Sequence, residues 1–456
     1  MSKNNLHVII GLGATGLSCV RFLKKQNIPV VVADTREAPP HLAAFKQQYP
    51  DIEVYTGNTW PQEILNGAQA LVVSPGVAVT HSSIQKAKDQ GVEVIGDVEL
   101  FARYNKAPVI AITGANGKST VTTLVGEMAK CAGKKVAVIG NIGTPVLDVF
   151  DENQVPELVV MELSSFQLET THSLAPLAAT ILNITPDHLD RYASFEEYAS
   201  AKHRIHKLAK QVIINKQDPL SASNEILPTA KKYYFTLNAP QGDEFGLQKF
   251  DGQIWLCFGT QKLICADELK IVGLHNLANA LSALALGYAV GLSWESMFQA
   301  LRTFPGLDHR CQLVAKQDGI QWINDSKGTN IGACQAALEG IGQGLEGKIV
   351  LILGGDGKGA DFGDLAPLVS IYCRAIIVMG KDSQKILEAL DSVVAAFCAT
   401  NMEQAVELAK NCAKPNDVVL LSPACSSLDQ YQHFAHRGEV FMQCVYQTIE
   451  RAKRAS

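Results

Sequence analysis

One loop carries the strongest chemical signal in the chain. Thr113-Gly114-Ala115-Asn116-Gly117-Lys118-Ser119-Thr120 follows the apolar run Val109–Thr113. It leads into a segment with Val121, Leu124, Val125 and Met128 at helical spacing. Strand, glycine loop, lysine, hydroxyl and helix start together make a phosphate cradle. Backbone N–H groups wrap the β-phosphate, Lys118 reaches between β and γ, and Ser119 meets Mg²⁺. The loop is shorter than the usual pattern, which wants a further glycine where Ile112 stands. ATP is the expected ligand, held by Gly114 through Val121.

Two segments offer partners for that loop. One ends in Glu162, followed by Ser164 and Ser165; the other ends in Asn183, followed by Asp187, His188 and Asp190. Both read as strand ends of the same parallel sheet, where ligands collect. A carboxylate beside a Ser119-bound Mg²⁺ is what phosphoryl transfer needs. A single histidine is usually a structural hydrogen-bonding group, but the crowding here favours a metal or acid–base role for His188. Lys202 is the odd residue. Ser194-Phe-Glu-Glu197 reads as a capping box opening a helix over FEEYASAKHRIHKLAK. Phe195, Tyr198 and Ile205 form its apolar stripe, and Lys202 falls on it. Such an ammonium either snorkels to water or points into a site as a ligand or in modified form.

Two more glycine loops stand out. Gly11-Leu-Gly13-Ala-Thr-Gly16 sits between a strand and a helix, with Asp34 ending the next strand. That is a dinucleotide-type fingerprint, suited to a nucleotide diphosphate. Gly354-Gly355-Asp356-Gly357-Lys358-Gly359 follows IVLIL. It reads equally as a turn presenting Lys358 to a cleft or as a flexible surface loop.

These residues need a frame. Short Val/Ile-rich runs alternate with helix-period segments almost throughout, the rhythm of parallel sheets covered by helices. At about 150 residues per domain, 456 residues predict three domains. Loop seams near Gly96–Pro108 and Phe304–Arg310 divide the chain into 1–96, 97–306 and 307–456. The expected fold is α/β: a Rossmann-like first domain, a P-loop-type central domain with a small antiparallel addition, and a dinucleotide-fold-like third domain. The net charge of −5 argues against nucleic acid as a partner. Eleven scattered cysteines without CxxC spacing argue against a disulfide scaffold or zinc ribbon. No run approaches the ~20 apolar residues of a membrane span, and the N-terminus resembles no targeting segment. No membrane partner is expected, and a soluble cytoplasmic monomer is.

TGANGKST, MELSSFQLE, NITPDHLDRY with Lys202, HNLANA, His309-Arg310, NDSKGTN and LSPACSSLDQY occur in one order. In these motifs the chain resembles the Mur ligase family from Val8 to about Glu439. ELSSFQLE and SPACSSLDQ resemble the branch that adds D-glutamate. The resemblance implies ATP-driven joining of D-glutamate to UDP-N-acetylmuramoyl-L-alanine, through an acyl phosphate and a tetrahedral intermediate, in cytoplasmic peptidoglycan precursor synthesis. It implies Ala14, Thr15, Asp34, Thr35, Arg36, Gly76 and Asn141 around the UDP part. Asn276 and Asn279 fall near the adenine, with Arg310 and Asp325 closing over the nucleotide. Of two Mg²⁺ sites, one takes Ser119 and Glu162, and the other takes His188 with a carbamylated Lys202. Lys118, Glu162, His188 and Lys202 carry the catalytic roles. Thr329, Lys358, Ser427, Leu428 and Phe434 receive D-glutamate, with Lys327 facing the same cleft. Competing readings are a sibling Mur ligase or folylpolyglutamate synthase, an NAD-dependent oxidoreductase using Gly11–Gly16 and Asp34, and a non-catalytic nucleotide-binding regulator. The last two leave TGANGKST, or the set Lys118, Glu162, His188 and Lys202, unexplained.

Overall fold

The structure is a computed structural model and describes residues 5–151, 155–187, 191–271, 273–343 and 345–455. Among these residues the strands form three sheets, mainly parallel and flanked by helices, in agreement with the expected α/β class. Val54–Thr56, Val30–Asp34, His7–Ile10, Ala70–Val73 and Glu93–Ile95 lie side by side, all parallel. His7–Ile10 sits in the middle, so the loop after it opens where the strand order reverses, the usual crevice for a ligand.

The central sheet runs Gln261–Cys265, Gln253–Phe258, Glu244–Phe250, Lys231–Phe235, Gln211–Asn215, Ala178–Ile181, Val109–Thr113, Leu158–Glu162, Val136–Gly140. The expected antiparallel addition is its far edge, because Glu244–Phe250 first pairs in parallel with Lys231–Phe235. Val109–Thr113 lies between Leu158–Glu162 and Ala178–Ile181, so the phosphate loop, Glu162 and Asn183 emerge from adjacent strand ends. Its side chains alternate faces as a strand requires. Val109 and Ala111 join one apolar cluster, while Ile110 and Ile112 join another with Val121, Leu124, Val125 and Met128 of helix Lys118–Cys131.

The third sheet runs Gln312–Gln317, Ile320–Asn324, Val418–Leu421, Ile349–Gly354, Cys373–Met379, Ala395–Cys398, with Gln312–Gln317 antiparallel. Ile349, Leu351 and Leu353 feed one core, and Val350 and Ile352 the other, so both faces are covered.

The seam expected as a loop near Gly96–Pro108 is mostly the helix Asp97–Tyr104. Its Val98, Leu100 and Phe101 belong to one buried cluster with Ile9, Leu23 and Val32 before it and Val109, Ala111 and Val159 after it. Apolar spacing over eight residues made this helix; glycine and proline at the ends of the stretch disguised it. The stretch 304–310 is irregular; His309 within it and Cys311 just after it have φ of +62° and +46°.

Candidate functional site

Helix Lys118–Cys131 starts at Gly117, whose φ of +81° is left-handed and whose Cβ would stand 2.4 Å from Asn279 Oδ1. Asn183 braces the loop from the neighbouring strand. Its Oδ1 accepts from Asn116 N at 2.8 Å, and its backbone carbonyl accepts from Ala115 N at 2.8 Å. This role was not expected; the signal was an amide side chain at a strand end beside a glycine loop.

Four charged groups converge there. Lys118 Nζ donates to the carbonyls of Gly114 and Ala115, both at 2.8 Å. Lys202 Nζ donates to the same Gly114 carbonyl at 2.9 Å. Arg310 Nη2 donates to Ser119 Oγ at 2.8 Å, across from the third sheet. Against these cations stands buried Glu162. Its Oε1 accepts from Asn141 Nδ2 at 2.9 Å, and its buried Oε2 has no hydrogen-bond partner. An orphaned carboxylate oxygen beside a serine hydroxyl and a phosphate loop fits a bound divalent cation.

Lys202 does not snorkel. It is 2 % exposed, and its ammonium lies 4.7 Å from the Tyr198 ring centre. Burial, then nearby Lys118, pushes its pKa well below the ordinary lysine value. Burial also lowers Lys118 and Arg310. The helix carrying Lys202 is shorter than expected: Phe195–His203, then one tight turn Arg204–His206. Ser194 Oγ caps Glu197 N, but Glu197 returns its bond to Ala193 N, so the expected box is half formed. His188 and Asp190 lie outside the described residues.

A cavity of about 270 Å³ beside the loop is lined by Asn116, Gly117, Thr120, Asn276, Asn279, Arg310, Asp325 and Lys327. Most of the expected nucleotide residues thus share one space. Gly114, Ala115, Lys118 and Ser119 belong to the same loop but do not line this cavity, and the Val121 side chain is buried in the core. Burial raises Asp325 to about 6 and lowers Lys327 to about 8.

A second cavity, about 570 Å³, gathers Ala14, Thr15, Asp34, Thr35, Arg36, Gly76 and Asn141, the full set expected around the UDP part. Gly16 permits its loop, since a Cβ there would stand 1.9 Å from the Gly11 carbonyl. Asp34 is already engaged: Leu12 N donates to Oδ2 at 2.7 Å, and Arg36 Nε to Oδ1 at 2.8 Å. Burial alone would raise its pKa, but these bonds outweigh it and hold it low. With both oxygens so engaged, Asp34 organises the loop and Arg36, which argues against the ribose contact of a dehydrogenase.

The residues expected to receive the amino acid are less gathered. Ser427 is buried, Thr329 is half-buried, and Phe434 carries Lys327 Nζ 3.9 Å above its ring. Leu428, expected to shape a pocket, is 72 % exposed, and Lys358 is exposed at φ +52°. The loop around Lys358 is tied rather than loose. Asp356 and Ser426 exchange backbone bonds at 3.1 and 2.8 Å, and Gly357 N reaches Asp382 Oδ2 at 2.8 Å.

A phosphate loop with converging cations, backed by a carboxylate and closed by an arginine from another sheet, defines a nucleotide-using transfer enzyme built from three units. Comparison with known proteins gives its kind. Residues 5–96 match the Mur ligase MurD-like N-terminal domain, 112–287 the Mur ligase middle domain, and 309–425 the Mur ligase, glutamate ligase domain. The chain belongs to the Mur ligase family. It is 50 % identical over 444 residues to the UDP-N-acetylmuramoylalanine--D-glutamate ligase of Legionella pneumophila (strain Paris), covering 97 % of this chain and 99 % of that one. It is 51 % identical over 447 residues to the enzyme of that name from Pseudomonas fluorescens (strain Pf-5), covering 98 % of each. The solved UDP-N-acetylmuramate-alanine ligase of Thermotoga maritima shares the fold, with a TM-score of 0.60 at 19 % identity over 97 % of this chain and 99 % of that one.

Proposed function

We infer that the chain joins D-glutamate to UDP-N-acetylmuramoyl-L-alanine with ATP, in peptidoglycan precursor synthesis. The relatives' shared name, at about half identity over nearly the whole chain, supports the substrates. One structural observation supports the chemistry: Asn141 lines the diphosphate cavity and also hydrogen-bonds Glu162 beside the phosphate loop, at 2.9 Å. The two sites therefore stand back to back, and a carboxylate at the end of one substrate meets the γ-phosphate of the other.

A carboxylate is a poor acyl donor because oxide is a poor leaving group. Attack of its oxygen on the γ-phosphorus gives an acyl phosphate and ADP. The amine of D-glutamate then attacks the acyl carbon, the tetrahedral adduct expels phosphate, and the nitrogen loses a proton. Lys118 and Arg310 leave their resting partners to neutralise the transferring phosphoryl group. Thr329, Lys358, Ser427 and Phe434 hold the amino acid, and closure of the third unit keeps water from the acyl phosphate.

Ser119 and Glu162 would hold one Mg²⁺; His188 and Lys202 would hold a second, once Lys202 is carbamylated. The bound metal supplies charge neutralisation at the phosphoryl oxygens. The depressed basicity of Lys202 suits that modification, because a neutral amine adds CO₂ and releases one proton, turning a cation into an oxygen ligand. Among the described residues no helix is long and apolar enough to cross a membrane. The proposed reaction is cytoplasmic and needs one copy of the chain.

The test is phosphate release with ATP, Mg²⁺ and UDP-N-acetylmuramoyl-L-alanine, supplying single amino acids in turn. Sustained release with D-glutamate is expected. Equal release with L-alanine or a diamino acid would assign a sibling activity, and none with any amino acid would leave a non-catalytic binder.

A further inference from the structure

Arg437 is unusual among the arginines of the chain. It is 2 % exposed, on the first turn of helix Phe434–Ala455. Among the described residues, no carboxylate lies within ion-pair distance of it. Its guanidinium is spent on neutral acceptors instead. Nε donates to Ser326 Oγ at 3.0 Å, and Nη2 to the Ser326 carbonyl at 2.8 Å. Both terminal nitrogens reach the Cys425 carbonyl at 3.1 Å, and Nη1 reaches the Gly354 carbonyl at 3.4 Å. Ser326 Oγ passes the connection back to the helix by donating to the Phe434 carbonyl at 2.8 Å.

Burying a guanidinium without a carboxylate in ion-pair contact is costly, and the more distant Asp429 and Asp325 offset only part of it, so the arrangement calls for an explanation beyond packing. Its acceptors supply one. Ser326 precedes Thr329 by three residues, Gly354 precedes Lys358 by four, Cys425 precedes Ser427 by two, and Phe434 is one turn from Arg437 itself. Every loop proposed to touch D-glutamate is thus pinned at its root to one planar fork. Those loops come from three different strand ends of the third sheet and the start of its last helix.

We propose that Arg437 is a positioning residue for the amino-acid substrate, bracing the Thr329, Lys358 and Ser427 loops at the spacing that D-glutamate's two carboxylates require. It rests on the D-glutamate reading above. The fork, not merely the charge, does this: lysine offers one compact ammonium and cannot span three carbonyls in a plane. Although burial lowers its pKa to about 10, Arg437 stays charged at neutral pH. The charge strengthens each bond to a carbonyl and adds a favourable field for the substrate's two carboxylates.

Steady-state kinetics on Arg437→Lys, Arg437→Met and Ser326→Ala test this, varying each substrate in turn. The KM for D-glutamate should rise at least about tenfold in both arginine variants and about threefold in Ser326→Ala, by the size of lost charged and neutral hydrogen bonds. The KM values for ATP and for UDP-N-acetylmuramoyl-L-alanine should stay within about twofold. A D-glutamate KM restored by lysine would overturn the bracing role, as would a uniform rise in all three KM values. Should Arg437→Met fail to fold, Ser326→Ala decides, and an unchanged D-glutamate KM there also overturns it. Absence of D-glutamate-dependent phosphate release in the wild type would instead overturn the functional reading, and this proposal with it.

Discussion

At the scale of single residues, the phosphate loop concentrates positive charge: three cationic side chains gather around it. Lys118 and Lys202 share the Gly114 carbonyl, and Arg310 rests on Ser119. Glu162 offers one free oxygen against them. Burial, and after it the repulsion between two cations on one carbonyl, makes Lys202 the weakest of them to hold its proton. The residue types and their order were legible in the sequence, since a lysine on an apolar stripe needs a reason. What it touches was not legible, because its partner is a backbone carbonyl 88 residues away. If Lys202 works as a carbamate, Lys202→Ala removes an oxygen ligand and the charge it compensates. Turnover should fall by about 10²–10³-fold, the usual loss on removing a group that stabilises transition-state charge. Added acetate should recover part of it by filling the vacated space with a carboxylate. Phosphate-release rates with and without acetate check this; full activity in the unsupplemented variant would remove Lys202 from the site.

At the scale of elements, helix Asp97–Tyr104 joins the first two units and starts with a buried carboxyl. Burial raises Asp97 to about 6, against hydrogen bonds from its own turn and from Gln167 that lower it. Between its unfolded value of 3.8 and about 6 the native state keeps a proton the unfolded chain has released. Stability from this group therefore falls as pH rises through that window. Asparagine cannot ionise and lacks the slope. Relative to wild type, Asp97→Asn should gain up to about 3 kcal/mol between pH 4 and pH 7, from a shift of about two units. Urea unfolding at both pH values measures it, and an equal difference at both would refute the buried charge. The helix also marks where sequence reading stopped. The buried strands were legible because Val/Ile runs such as Val109–Thr113 have little other use. The seam helix was not, because its apolar residues serve two units at once and its flanks look like a loop. Asn183, at a legible strand end, gave no sign that its side chain would hold Asn116 N in the loop, since that contact spans 67 residues.

At the scale of the whole molecule, the three units are joined in two different ways. The first and second share a continuous apolar cluster, and Asp148 of the second accepts from Ser18 and Arg21 of the first, both at 2.6 Å. No cluster of fully buried apolar residues spans the second and third among the described residues; their contacts include Arg310 with Ser119 and Asn330 Nδ2 with Asp187 Oδ2 at 3.1 Å. Shared apolar burial resists separation, whereas exchangeable hydrogen bonds over a cavity permit it. Under the proposed function, the closing motion then belongs to the third unit. Arg310 must leave Ser119 when nucleotide enters, so the interface is remade rather than merely tightened. Hydrogen exchange gives a direct measurement. With a non-hydrolysable ATP analogue and UDP-N-acetylmuramoyl-L-alanine bound, amides in 325–342 should exchange at least about tenfold more slowly, as a local opening there becomes unfavourable. Amides of Asp97–Tyr104 should change less than about twofold, because their packing does not depend on the nucleotide. Equal protection across both segments, or protection confined to the seam helix, would mean that the first unit moves instead and that Arg310 is a fixed wall of the site.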